Sequence, residues 1–101
     1  MDLETYSNIY AVKKGYINNT EKYSNGQFIN EFIGNTRKGY YFNGKLRIEE
    51  QYNKDGLLHG YQKGYDPDGT LCYENNYIND DLKGISRKYF NGQLIFEKNF
   101  K

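Results

Sequence analysis

Few residues of this chain are of the types that do chemistry at metal or nucleophilic sites. His59 is the only histidine and Cys72 the only cysteine among the 101 residues. A structural zinc ion normally takes four ligands, which this pair does not supply. A Cys72 nucleophile activated by His59 would need a third group to orient the histidine, and the sequence indicates none. We therefore expect no metal ligands, no cofactor, no catalytic residue and no enzyme activity.

Glutamates recur at one fixed position relative to Asn-Gly or Asp-Gly pairs. The pair glycines are Gly26, Gly44, Gly69 and Gly92, and the fifth residue after each is Glu31, Glu49, Glu74 or Glu97. Two carboxylates can hydrolyse glycosides, but only when they lie in unlike environments. Repetition at constant spacing instead indicates a structural role, in which each glutamate forms an opposite-charge pair across a hairpin.

These pairs divide the chain into four hairpin-sized copies, which is the signature of a repeat array. Each glycine is followed two residues later by an apolar residue, namely Phe28, Leu46, Leu71 or Leu94. The copies are predicted at residues 15–33, 34–59, 60–83 and 84–101. Residues 1–14 do not fit the pattern and are predicted to form an irregular cap with one possible strand. The sequence thus predicts one all-β domain, an elongated and twisted antiparallel sheet of tandem hairpins.

Turn chemistry gives a predicted register for each hairpin. Asn43-Gly44 favours a two-residue type I′ turn, because both residues tolerate positive φ. Counting outward from that turn, Tyr41 is predicted to face Leu46. The same count predicts two ion pairs, Lys38 with Glu49 and Lys63 with Glu74, and two polar partners for the outer glutamates, Thr20 for Glu31 and Ser86 for Glu97. Residues 53–59 and 79–83 are predicted to be polar loops between the hairpins.

The predicted strands place different residues on the two faces of the sheet. Leu46, Ile48 and Tyr52 are predicted to share an apolar face, which Glu50 interrupts, so a bend, bulge or edge is expected there. The opposite face is predicted to carry the candidate partner-binding residues, which are Lys38, Tyr40, Phe42, Arg47, Lys63 and Tyr65. Aromatic residues mixed with arginine make good interface anchors. The alternative, that curvature packs these rings against one another, stays open.

The frame K-x-Y-Y-x-N-G-x-L-x-x-E-x-x-Y, seen from Lys38 to Tyr52, resembles the bacterial variant of the MORN repeat. The resemblance covers about residue 15 to the end. It implies a sheet of successive hairpins and a role as a protein-binding scaffold, with many bacterial members labelled as antitoxin or immunity partners of toxins. Asp66 stands where the other copies carry tyrosine, and Gly34 stands where an aromatic residue ends the other copies.

Composition limits the remaining functions. The formal net charge is +1, so no nucleic-acid partner is expected, since such proteins carry a clustered basic excess. No signal-like or membrane-spanning apolar stretch is visible, so a cytoplasmic location is expected and a membrane location is not, unless an export signal has been trimmed. Exposed strand edges leave edge-to-edge homo-oligomers open.

Two classes of function remain besides the weaker possibility of an enzyme that uses Cys72. The first hypothesis is a non-catalytic module that binds a protein, with a bacterial toxin as one candidate partner. The alternative is a carbohydrate-binding repeat domain of the cell-wall or glucan type, which the aromatic hairpins resemble. Those repeats depend on tryptophan, and this chain has none. A scaffold that binds lipid headgroups through lysine and tyrosine is a weaker alternative.

Overall fold

The computed structural model describes residues 22–101, and this part of the chain forms one open antiparallel sheet without a helix. The strands are β1 (Asn30–Ile33), β2 (Thr36–Tyr40), β3 (Leu46–Tyr52), β4 (Leu58–Tyr65), β5 (Leu71–Ile78), β6 (Asp81–Leu82), β7 (Gly84–Phe90) and β8 (Gln93–Phe100). Their order in the sheet is β1-β2-β3-β4-β5-β7-β8. The short β6 pairs with β5 and stands outside this order. The predicted all-β sheet of tandem hairpins is confirmed.

Parts of the predicted organisation concern residues that the structure does not describe. The cap at residues 1–14, the start of the first copy and the pairing of Glu31 with Thr20 all lie outside the described residues. The limits of the four copies stay a prediction. Hairpins β2–β3 and β7–β8 fall within the second and fourth copies, whereas β4 of the hairpin β4–β5 begins at Leu58, two residues before the third copy.

The predicted two-residue turn at Asn43-Gly44 is wrong. The Gly44 N–H donates to the Tyr41 carbonyl at 2.9 Å and the Tyr41 N–H donates to the Lys45 carbonyl at 2.8 Å, so the loop has three residues. Only Gly44 has positive φ, at 86°, whereas Asn43 does not. The Asn43 side chain instead accepts the Lys45 N–H at 2.9 Å, a local bond that favours this turn. The same backbone pattern closes the turns at 23–27, 53–57 and 66–70.

Two other turns have the two-residue form. In the last hairpin, φ is 51° at Asn91 and 79° at Gly92, and these residues connect the paired Phe90 and Gln93. Asn79 and Asp80 also have positive φ, at 49° and 72°, between the paired ends of β5 and β6. Residues 79–83, predicted to be a polar loop, therefore contain a tight turn and a short strand.

The register shifts by one residue, at a β-bulge, near the turns at Asn43-Gly44, Asp68-Gly69 and Asn91-Gly92. Leu46 lies opposite Tyr40 and Ile48 opposite Gly39, so Arg47 is the extra residue of β3. The predicted pairing of Tyr41 with Leu46 is therefore wrong. Lys38 still faces Glu49, as predicted, because the longer loop on one side and the bulge on the other offset each other.

The last hairpin lacks this compensation. Its loop has two residues as counted, but its register shifts between Lys88 and Tyr89. Glu97 consequently lies opposite Arg87, and the predicted partner Ser86 lies opposite Lys98. The bulge thus gives the last glutamate a charged partner where a neutral one was expected.

We call the face that carries Phe32, Arg37 and Glu50 the inner face, because these three residues lie side by side on β1, β2 and β3 and are buried. The prediction that Leu46 and Ile48 share one face is wrong. Ile48 lies opposite Gly39 and Leu46 opposite the next residue, Tyr40. Consecutive residues of a strand point to opposite faces, and so do their partners. Tyr52 is 3% exposed and its hydroxyl bonds to the Glu50 carboxylate. The irregularity expected at Glu50 is present as a register shift between Glu50 and Tyr52.

Candidate binding surface

Seven charged residues form one continuous row across the other face of the sheet. The row runs Glu31, Lys38, Glu49, Lys63, Glu74, Arg87, Glu97, each residue lying directly opposite the next. We call it the charge row and its face the charged face. The sign alternates at every step, so each interior charge has an opposite charge on both neighbouring strands. Opposite charges at such positions stabilise a sheet, by about 0.2–1 kcal/mol per pair.

Two of the three basic residues in the charge row, Arg87 and Lys38, hold glutamates in defined positions. Arg87 bridges two of them, with Nη1 3.2 Å from a Glu74 oxygen and Nε 2.7 Å from a Glu97 oxygen. Lys38 Nζ lies 3.7 Å from a Glu49 oxygen. These side chains are only partly exposed, and partly exposed pairs of this kind contribute modestly to folding. Their main consequence is an ordered charged surface.

Tyrosine hydroxyls provide a second set of contacts to the same glutamates. Each bond joins a tyrosine to a glutamate of the preceding strand: Tyr40 to Glu31 at 2.9 Å, Tyr61 to Glu49 at 2.8 Å and Tyr89 to Glu74 at 2.8 Å. Burial, together with the hydrogen bond to its glutamate, raises the pKa of Tyr40 to about 12, and the same causes raise the pKa of Tyr61 to about 12. These hydroxyls therefore stay protonated donors at neutral pH.

Four of the six predicted partner-binding residues lie together on the charged face. Lys38 and Lys63 belong to the charge row, and Tyr40 bonds to it. Tyr65 follows two residues after Lys63, and burial and then the charges of Glu49 and Glu74 raise its pKa. Whether these residues bind a partner stays a prediction, but the structure brings them onto one surface.

The other two predicted residues lie elsewhere. Arg47 is the bulge residue of β3, and its Nη2 lies 2.8 Å from the point where a Cβ on Gly39 would be, beside Ile48 and the inner-face Asn30. Its guanidinium therefore crosses Gly39 on the inner face. Phe42 lies in the turn after β2, 55% exposed, with its ring edge-on to Tyr23 at 5.6 Å.

Sequence reasoning missed Tyr61, Arg87 and Tyr89 as members of this surface. Tyr89 and Tyr41 stand at the same number of residues before their turn glycines. The last turn is one residue shorter than the turn after β2, so Tyr89 occupies the position in the sheet that corresponds to Tyr40. A local pattern would have found it. A basic residue followed two positions later by tyrosine occurs at 14–16, 38–40, 63–65 and 87–89.

Neighbouring turns are tied together at one end of the sheet. The bonds run from Tyr23 Oη to the Tyr40 carbonyl at 2.9 Å, from Asn25 Nδ2 to the Phe42 carbonyl at 2.8 Å, from Tyr41 Oη to the Tyr65 carbonyl at 2.6 Å and from Asn43 Nδ2 to the Pro67 carbonyl at 3.1 Å. The third copy has Asp66 and Asp68 at the donor positions, and ionised carboxylates cannot donate. Pairing between β5 and β7 covers only two residue pairs.

Residues 34–54 and 58–79 match the family model of the MORN repeat variant. These two stretches overlap the second and third predicted copies, so the resemblance noted from the sequence is confirmed there. Searches of curated proteins and of solved structures gave no match. MORN repeats are generally non-catalytic binding modules, which agrees with an open sheet whose ordered side chains lie in a row.

The candidate nucleophile, Cys72, lies in an unfavourable setting. The Cys72 thiol lies 3.3 Å from an Asp66 oxygen, and this hydrogen bond, followed by burial, raises its pKa. A raised pKa keeps the thiol protonated and weakens it as a nucleophile. Cys72 lies on β5 beside the end of β4, near Tyr65. His59 lies at the beginning of β4, where its Nδ1 accepts the Asn79 N–H at 3.4 Å. The two residues therefore do not form a dyad.

Two further findings concern the part of the chain that the structure describes. No group of three or more histidine, cysteine, aspartate or glutamate residues in that part is placed to hold a metal ion. Within the same residues, no helix is long and apolar enough to cross a membrane.

Proposed function

We propose that this chain is a MORN-type binding module that holds a protein partner on its charged face. The observation that carries the proposal is the charge row with its bonded tyrosines. Lys38, Arg87 and the three bonded tyrosines are already ordered by contacts to glutamates, so their side chains lose less entropy on binding than free side chains would. Tyrosine and arginine are also the residue types enriched at interface hot spots.

Burial supports the choice of this face over the inner face. Arg37 and Glu50 are 8% and 5% exposed, so the centre of the inner face offers little surface to a partner. Lys38, Lys63 and Tyr65 on the charged face stay partly exposed. A partner bound to the charged face would therefore contact mainly these three residues.

Charge alternation indicates the chemistry of the partner. A polyanion such as nucleic acid would meet four glutamates as well as three basic residues on this row, which is unfavourable. A protein surface with charges of both signs can match the alternating charges. A bacterial toxin is one such partner, and it is supported by the resemblance alone. Carbohydrate and lipid-headgroup binding have no structural observation in their favour, and they serve as alternative outcomes of the test.

A pull-down with matched variants tests the proposal. Immobilised wild-type chain captures proteins from a lysate of the organism that encodes it, and the captured protein is purified and its affinity measured by calorimetry. Replacing Lys63 and Tyr65 with alanine should weaken binding at least tenfold. Lys54→Ala removes a charge of the same sign from an exposed turn and should leave affinity within twofold. Circular dichroism checks that both variants fold.

The same preparations separate the alternatives. Glycan arrays and vesicles that contain anionic lipid are probed in parallel with the lysate. Selective glycan or vesicle binding, with no protein captured, would replace the proposal by the corresponding alternative. A captured protein that the double variant binds as well as wild type does would show that another surface carries the function.

A further inference from the structure

Strand β8 forms one edge of the described sheet and is exposed along most of its length. Among residues 22–101 it pairs only with β7. Leu94, Ile95 and Phe96 are 52%, 66% and 45% exposed, which is unusual for consecutive large apolar side chains. A long, exposed and apolar edge strand is a template for pairing with another chain.

The charge row ends on this edge, at Glu97. Its side chain is 46% exposed, and its one described ion pair is with Arg87, at 2.7 Å. The other three glutamates of the row each receive a tyrosine hydroxyl from the strand that follows them. Glu97 lacks this contact among the described residues, because no described strand follows β8. Both the basic residue and the tyrosine that a following strand would bring are thus missing on its outer side.

We propose that β8 accepts an extended segment of a partner protein by antiparallel strand addition, and that this segment carries lysine or arginine two residues before a tyrosine. The basic residue lies opposite Glu97, and the tyrosine hydroxyl donates to the Glu97 carboxylate. This inference rests on the proposed protein-binding function and adds to it a second place of contact and a sequence preference.

The pairing of β7 with β5 provides the geometry. There Lys88 lies opposite Tyr73 and Arg87 opposite Glu74, while the Tyr89 hydroxyl donates to Glu74 at 2.8 Å. Strand β8 presents the same order of residue types, an aromatic ring and then a glutamate, in Phe96-Glu97. A segment that resembles β7 can therefore meet the outer edge of β8 as β7 meets β5. Backbone hydrogen bonds would supply affinity, and the side chains would supply specificity.

A second copy of this chain fits the edge less well. When two β8 strands pair antiparallel about a twofold axis, directly opposed residues lie on the same face of the combined sheet. Glu97 shares its face with Asn99, whereas Lys98 points to the other face, where its Nζ lies 4.8 Å from the Phe100 ring. Self-pairing would therefore bring Glu97 no positive charge from within β8. Only a register centred on Asn99 would place a lysine opposite Glu97, namely Lys101 of the other copy, which follows the strand, and that register pairs only the last residues of the two chains.

A synthetic peptide tests the inference directly. The probe is a fluorescein-labelled peptide with the sequence of residues 84–90, Gly-Ile-Ser-Arg-Lys-Tyr-Phe, and binding to the whole chain is measured by fluorescence anisotropy. Replacing the peptide arginine with glutamate should weaken binding at least tenfold, and replacing its tyrosine with phenylalanine should weaken it severalfold. Glu97→Gln in the protein should remove most of the preference for arginine over glutamate.

Backbone pairing is tested with two further peptides, N-methylated at alternate residues. In an added strand, alternate N–H groups point toward β8, so one peptide should lose binding and the other should keep it. Equal binding by both, or by the arginine and glutamate peptides, would overturn the proposal. Sedimentation data would also overturn the proposal if they showed a dimer of this chain that pairs through β8 and that Glu97→Gln dissociates.

This test is independent of the one for the charged face. Peptide binding that survives replacement of Lys63 and Tyr65 supports strand addition even if the charged face binds nothing. Conversely, a captured partner that needs Lys63 and Tyr65, together with a peptide that fails to bind, would leave the protein-binding function standing and reject strand addition.

Discussion

Arg37 and Glu50 lie directly opposite each other on β2 and β3, with 2.7 Å between Arg37 Nη1 and Glu50 Oε1. Their side chains are 10% and 7% exposed. Gln62 donates to the second Glu50 oxygen at 2.8 Å, and Asn30 accepts from Arg37 at 3.1 Å. Such a pair adds less stability than its short distance implies, but removing one partner leaves a buried charge uncompensated.

Replacing Glu50 with alanine should therefore destabilise the protein strongly, by about 3–5 kcal/mol. Urea unfolding followed by circular dichroism measures the loss. Glu49→Ala is the matched control, because the adjacent Glu49 lies on the charged face at 3.7 Å from Lys38 and should cost only about 1 kcal/mol. Similar losses in both variants would contradict the distinction between the two faces.

Stability should fall in acid because of the same network. Burial alone would raise the pKa of Glu50, but hydrogen bonds from Tyr52, Gln62 and Arg37 outweigh it and lower the pKa below its usual 4.5. A carboxyl with a lowered pKa in the folded state stabilises that state above its unfolded pKa and loses this contribution as pH falls through the folded value.

The pH dependence is measured as the unfolding temperature between pH 7 and pH 2. Wild type should hold its stability down to about pH 4.5 and lose it below that. In Glu50→Gln this part of the acid transition should be smaller. Glu74, whose pKa is lowered first by its bond from Tyr89, contributes in the same direction and remains in the variant. Identical pH profiles for the two proteins would exclude Glu50 as a source of the acid sensitivity.

How far the sequence predicted this fold depends on the distance from the turns. The positions of Lys38 opposite Glu49 and of Lys63 opposite Glu74 were predicted correctly, because both pairs lie beyond the turn and the bulge. Pairs close to the turn were not, since a bulge inserts one residue that counting from the turn does not include. The Ser86 prediction failed for the same reason in a hairpin whose shorter loop did not offset the bulge.

The candidate surface was predicted in part. Alternation of side chains placed Lys38, Tyr40 and Lys63 on one face, and this holds wherever a strand is regular. Arg47 was misplaced because a bulge residue does not follow that alternation. The continuous charge row was not predicted, since it depends on how separate hairpins pair, and side-chain periodicity within one hairpin carries no information on that.

Gly64 should not tolerate even alanine. A Cβ there would lie 2.2 Å from the Tyr73 ring, which crosses the backbone at this position, so the ring must move. Gly64→Ala should destabilise by about 1–3 kcal/mol. The control is the same change in a Tyr73→Ala background, where the clash is absent and the cost should be much smaller. Additive losses in the double variant would mean that the ring is not the obstacle.

Ser86 should be replaceable by alanine at no cost. It is 6% exposed, and its hydroxyl lacks a hydrogen-bond partner among the described residues. Removing a buried polar group without a partner should leave stability unchanged or raise it by up to about 1 kcal/mol. Chemical denaturation of Ser86→Ala against wild type tests this, and a loss above that size would show that the hydroxyl does make a stabilising bond.

Cys72 should react slowly with alkylating reagents. Its hydrogen bond to Asp66, followed by burial, raises the pKa of the thiol, so the reactive thiolate is scarce at neutral pH. Asp66→Asn removes the negative charge beside the sulfur and should increase the rate of iodoacetamide labelling at pH 7.5 severalfold. Labelling is followed by mass spectrometry, with the unfolded chain in urea as the reference for full exposure. A rate in the folded wild type that matches the unfolded chain would show that Asp66 does not protect the thiol.

Cys72→Ser should leave partner binding unchanged, whereas loss of an activity in that variant would revive a catalytic role for this residue.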